Sequence, residues 1–193
     1  MWTTRHLLVL TAALLLGACA ASTSLVVERL DPRTGVTVLS ATEPLVLYRD
    51  NSAFAAYARD FVYLGPIEVN NMGARSYYLW FGIWGTMRDD LRLSNQRDGF
   101  ESVVLFVDGE PLSLEFHGWT LDSIGVSEPV YVKPVAGAAD AYYRVTVDQV
   151  RLIANARSVE LRTADSRATR YGPWNEQAQP NASLRAFLRN AYD

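Results

Sequence analysis

From residue 25 onward, short apolar runs alternate with polar or turn-forming breaks at the spacing of a β-rich fold. Residues 25–30 and 36–41 are apolar runs flanking Asp31, Pro32 and Gly35, a loop of hairpin type. Residues 44–48 form a further apolar run with branched and aromatic members. Residues 51–58 suit one or two helical turns or a capped loop. Residues 61–64 and 67–69 read as two strand pieces broken at Gly65-Pro66, because proline has no N–H to give a ladder. The strongest strand covers 77–84. Tyr77, Leu79, Phe81 and Ile83 share one face, and Tyr78, Trp80 and Trp84 the other, so both faces must be covered. Residues 102–107 and 111–116 flank Asp108-Gly109, the best short-range hairpin signal. In the second arm Leu112, Leu114 and Phe116 alternate with Ser113 and Glu115, which leaves one face wet. Residues 130–133 are expected to add a strand before Pro134.

The period then changes. Residues 142–147 read as a strand running into Thr146 and Gln149, the spacing of a capping box. Val150, Ile153 and Ala154 recur at helical intervals as far as about 156. A strand is expected again over 158–162. After a polar stretch with Gly172-Pro173 and Pro180, residues 183–192 carry the stripe Leu184, Phe187, Leu188 and Ala191 of an amphipathic helix. The class expected is therefore α+β and mostly β: an antiparallel sheet or β-sandwich with two C-terminal helices packed on it, in one domain over 25–193.

The first residues follow a different rule. Arg5 precedes an unbroken apolar run over 7–16, and small residues lead to Cys19. This is the layout of a secretory signal over 1–18, too short for a membrane span of about 20 apolar residues. The block Leu16-Gly17-Ala18-Cys19 resembles the lipobox of bacterial lipoproteins. That resemblance implies cleavage between Ala18 and Cys19, lipidation of Cys19 and attachment to a membrane. Ala20 at the next position is similar to lipoproteins sorted to the outer membrane, which implies the periplasmic face of that membrane. Residues 19–24 would be the lipidated cysteine and a short tether. Its five residues after the cysteine reach roughly 17 Å when extended, which keeps the domain near the bilayer. A second envelope protein at that level is the expected partner.

Composition narrows the rest. The chain has 193 residues and a formal net charge of −3, so a nucleic-acid partner is not expected. Removal of Arg5 with the signal makes the remainder slightly more acidic. Cys19 is the only cysteine, so no internal disulfide can form.

His117 would be the sole histidine after cleavage, in a setting that suits a strand end better than a catalytic triad. Asp89-Asp90 and Asp108/Glu110 lack the spacing of a calcium loop. No nucleophile elbow, phosphate loop or dinucleotide fingerprint is present. No catalytic residue, metal or cofactor is therefore assigned.

The aromatic residues Tyr77, Tyr78, Trp80, Trp84, Trp119, Tyr131, Tyr142 and Tyr143 read chiefly as core, with Trp119 and Trp174 the more exposed candidates for contact. Arg144, Arg151, Arg157, Arg162, Arg167 and Arg170, if gathered on one face, would suit an acidic partner or lipid headgroups. Arg151 and Arg157 are the contact candidates among them. Three functions stay open: a membrane-anchored binding or assembly accessory, a carrier of glycan or lipid, and a cell-wall hydrolase.

Overall fold

The computed structural model describes residues 24–51, 57–86, 97–164, 168–174 and 182–191. The signal, Cys19 and most of the tether lie outside them, as do Asp89, Asp90, Arg167 and most of the possible helical turn over 51–58. Among the described residues no helix is long and apolar enough to cross a membrane.

The fold is mostly β with two helices, as the pattern indicated. Among the described residues eleven strands run in chain order: β1 (Val26–Leu30), β2 (Thr37–Ala41), β3 (Leu45–Asp50), β4 (Arg59–Asn71), β5 (Ala74–Gly85), β6 (Val103–Val107), β7 (Glu110–Ser113), β8 (Glu115–Gly118), β9 (Ala139–Val145), β10 (Val159–Thr163) and β11 (Arg170–Pro173). Helices α1 (Val147–Asn155) and α2 (Ala182–Ala191) complete it.

Every strand pair is antiparallel, and the main path runs β7-β6-β10-β11-β3-β4-β5-β9-β8. The two ends of that path, β7 and β8, are separated only by Leu114, whose N–H donates to the Val103 carbonyl at 3.4 Å. The arm expected over 111–116 is thus one bent strand that pairs first with β6 and then with β9. This bend curls the sheet round into a near-barrel. Strand β2 pairs with the end of β4, and β1 adds outside it.

The two pieces expected around Gly65-Pro66 are one strand, and the register explains why proline is tolerated. Leu45 pairs with Leu64 and Ser40 with Ile67, so Gly65 and Pro66 face the step between β3 and β2. The missing N–H falls where no neighbour asks for it. The Pro66 carbonyl on that side accepts from the Tyr131 hydroxyl at 2.8 Å.

The barrel interior is filled. Leu47, Val62, Leu64, Leu79, Phe81, Leu105, Ala141, Tyr143 and Leu161 point inward and are fully buried. Val150 and Ile153 of α1 and Leu184 and Phe187 of α2 close the same core. Helix α1 begins at the expected box: the Thr146 hydroxyl accepts from the Gln149 N–H, and the Gln149 side chain accepts from the Thr146 N–H at 2.8 Å.

The outer face of β2, β4, β5 and β9 is covered by a strap over 119–138. It contains a 3-10 turn (Leu121–Ile124) and includes the residues expected as a strand at 130–133, which are not one. Ile124, Val126 and Tyr131 bury Val38, Ile67, Val69 and Trp80 beneath it. Tyr131 lies directly on Gly65, where a Cβ would meet its ring at 2.3 Å, and stacks on Trp80 at 4.7 Å. A side chain at 65 would evict the strap.

Candidate functional site

Where the strap stops, the outer face carries a second set of rings. Alternation turns Tyr48 on β3, Phe61 and Tyr63 on β4 and Trp84 on β5 outward. The register then aligns Gly172, Tyr48, Phe61 and Trp84 in one row across four neighbouring strands. Phe61 and Trp84 stack with centroids 4.6 Å apart and planes 15° apart. Tyr63 meets Trp84 edge-on at 6.0 Å. Trp174, held beside β3 by its N–H to the Val46 carbonyl at 3.0 Å, stands over the row. Its ring is 5.1 Å from Tyr48 at 86° and 5.2 Å from Phe61 at 59°.

A charged pair borders these rings. The Arg59 guanidinium lies 5.7 Å from the Tyr48 centroid and 5.2 Å from that of Trp174. Its Nε donates to Asp50 Oδ1 at 3.0 Å. Such cation–π contacts contribute about 0.5–1 kcal/mol each at an exposed site and hold the arginine over the rings. Trp174 is 47% exposed, whereas Phe61 beneath it is buried. Trp84 Nε1 is a buried donor without a partner among the described residues. The surface is thus a packed aromatic floor with one half-open indole and an exposed ion pair.

The other contact candidates lie apart from this floor. Trp119 packs on Phe116 at 4.9 Å against the barrel core, with Arg97 5.0 Å above its ring. Arg151 is exposed on α1 and pairs with Asp148. Arg157 follows α1, and its N–H and that of Ser158 donate to Asp108 Oδ1. Asp108 therefore ties the β6–β7 turn to the segment between α1 and β10. Among the other arginines, Arg170 pairs with Glu160, Arg144 stands opposite Glu115, and Arg162 lies 4.0 Å over Phe106. These cations are interspersed with acids.

His117 is half-buried on the outer face of β8 with its ring 5.1 Å from Tyr78. Among the described residues no group of three or more His, Cys, Asp or Glu could hold a metal ion.

Two carboxylates are set apart by their surroundings. Asp31, in the β1–β2 turn, is buried. Burial alone would raise its pKa, but the Ser127 hydroxyl and the N–H groups of Ser127, Thr34 and Arg33 donate to it and hold it well below the ordinary range. It ties the strap to the hairpin. Glu68, on the inner face of β4, is pushed upward by burial, while the Arg75 guanidinium and the Tyr77 hydroxyl oppose the shift. Its Oε2 has no partner among the described residues. Arg75 also donates to the Ala191 carbonyl of α2 at 2.5 Å, so Glu68 touches the helix dock through one side chain.

Of the floor, the sequence singled out Trp84 and Trp174. Tyr48, Phe61, Tyr63 and Arg59 were missed, because only the register joins them. Comparison with family models, with curated proteins and with solved structures finds no match.

Proposed function

We propose that this chain is a lipid-anchored envelope protein acting as a binding accessory close to the membrane. The observation that carries the binding half is the aromatic floor under Trp174: a barrel whose interior is already filled spends five further rings on its outer surface. Large rings with a polar border are the usual means of gripping a partner. The anchor half rests on Leu16-Gly17-Ala18-Cys19 and on the short stretch between Cys19 and β1. Together they favour a position near the bilayer, and Ala20 favours the periplasmic face of the outer membrane. The space between sheet and helices, one place for a carried ligand, is occupied by Phe187, Leu184 and Ile153. The outer floor is the better place for any ligand.

The test is in-cell crosslinking from isolated envelope with labelled palmitate, comparing the native chain with Cys19→Ala and Trp174→Ala. Label on the native chain and its loss in Cys19→Ala support the anchor. Crosslinked material lost in both variants supports the accessory role. Equal labelling of native and Cys19→Ala would remove the anchor. Unchanged crosslinks in Trp174→Ala would remove the floor from the binding reading.

A further inference from the structure

We propose that the floor is a glycan subsite, and that one pyranose ring sits in the notch above Gly172, against Tyr48 and Trp174. This deepens the binding reading above and rests on it for the surface used.

Gly172 carries the argument. It stands at the β11 end of the outward row, opposite Tyr48. Among the described residues a Cβ there would meet nothing within 4 Å, and its φ is not in the left-handed region. Neither packing nor backbone therefore requires glycine at 172. The other outward glycines on this sheet are filled: the ring of Tyr131 takes the space at Gly65, and that of Trp80 the space at Gly82. The space at Gly172 is open beside Tyr48, which pairs opposite it, and Trp174, two residues on, and those two rings meet edge-on at 86°. Two ring planes at a right angle make a corner, one plane to stack on and one to limit sideways travel.

The border decides the ligand class. Asp50 is 68% exposed and Arg59 40% exposed at their side chains. An apolar peptide or acyl chain laid on the floor would displace water from this pair, and an ion that loses water without gaining a partner weakens binding. An apolar group brings no hydrogen bond to offset that cost. A pyranose avoids it. Its C–H face stacks on the ring while its hydroxyls radiate outward, donating to the Asp50 carboxylate and accepting from the Arg59 guanidinium. The ion pair fixes both groups before binding, so little side-chain freedom is lost.

The experiment titrates the chain begun at Ala20, which keeps every described residue, with the tetramer of N-acetylglucosamine and with maltotetraose. Calorimetry and tryptophan emission give the two readouts. Saturable binding of at least one sugar is expected, weakened tenfold or more by Gly172→Val and by Trp174→Ala. Gly172→Val is the sharper variant, because a β-branched residue suits a strand and the notch has room for it. An unchanged melting temperature would show that it folds. No binding of either sugar, or equal binding by Gly172→Val, overturns the proposal. Uptake of the apolar dye anilinonaphthalene sulfonate at the floor without sugar binding also overturns it, leaving an apolar docking face. If both sugars fail while Trp174→Ala still abolishes the envelope crosslinks, only the glycan is lost. If the crosslinks are also indifferent to Trp174, the binding reading goes with it.

Discussion

Glu68 is the residue at which this fold is least at ease. It is 5% exposed, its Oε2 has no partner among the described residues, and its link to Arg75 spans 3.5 Å. A carboxyl whose folded pKa is raised binds its proton more tightly in the folded state. The ionised form therefore costs stability, and the cost grows as pH rises from the ordinary value of 4.5 through the folded value. Glu68→Gln should remove that dependence and stabilise the protein above the folded pKa by on the order of 1 kcal/mol, the lower end of the cost of a buried unsatisfied group. Urea unfolding at pH 5 and pH 8 checks it. A variant less stable than the native chain at pH 8 would mean that the Arg75 contact outweighs the desolvation. Asp31 has the opposite sign. Its depressed pKa contributes stability that is complete above the ordinary carboxyl value of 3.8 and is lost as pH falls toward the folded value.

At the level of elements, Asp31 holds the strap and the strap holds the outer face. Asp31→Asn keeps the shape but removes the charge that accepts from Ser127 and its neighbours. Hydrogen exchange at the Ser127 N–H should then speed up by roughly tenfold or more, while exchange in β5 stays unchanged. Equal acceleration in both would show that strap and barrel open as one unit.

The strap also marks the limit of what could be read from sequence. Elements that depend on local pattern were legible: the capping box at Thr146 and Gln149, the stripe of α2, the Asp108-Gly109 turn and the doubly covered strand over 77–84. Features that depend on partners were not. Residues 130–133 have strand-like composition but lie over Gly65 and Trp80. Strand β11 has Gly172 and Pro173 within its four residues and carries no alternation to detect. The break expected at Gly65-Pro66 was a change of neighbour and not an end of strand. The candidate site was half visible for the same reason. Trp174 could be chosen from its Gly-Pro context, but Tyr48 and Phe61 join it only once β11, β3 and β4 are known to be adjacent.

The whole molecule is held by pairings between distant parts of the chain, and α2 closes one side of them. Gly172 pairs with Tyr48 and Leu161 with Leu105, while the bend at Leu114 joins two edges of the sheet. Closing such long loops must precede the contacts that repay them, which places folding among the slow, non-local class. Strand β2 leaves the line of β3 to pair with the far half of β4, and α2 packs against β1, β2 and β4 at that side. Its Phe187 and Leu184 are fully buried in the same core as Leu79 and Leu161. A near-barrel missing α2 would expose the part of this core that Phe187 and Leu184 cover, and leave Arg75 without the carbonyl it donates to. Phe187→Ala should therefore cost about 3–5 kcal/mol, the range for a large ring removed from a packed core. The destabilisation should appear equally in far-ultraviolet and near-ultraviolet dichroism during urea unfolding, because one core serves both helices and both halves of the sheet. If the near-ultraviolet signal is lost at lower urea than the far-ultraviolet signal, α2 docks on a barrel that stands without it. The stability of the aromatic floor would then be independent of the helices, and Trp174 would keep its environment in the variant.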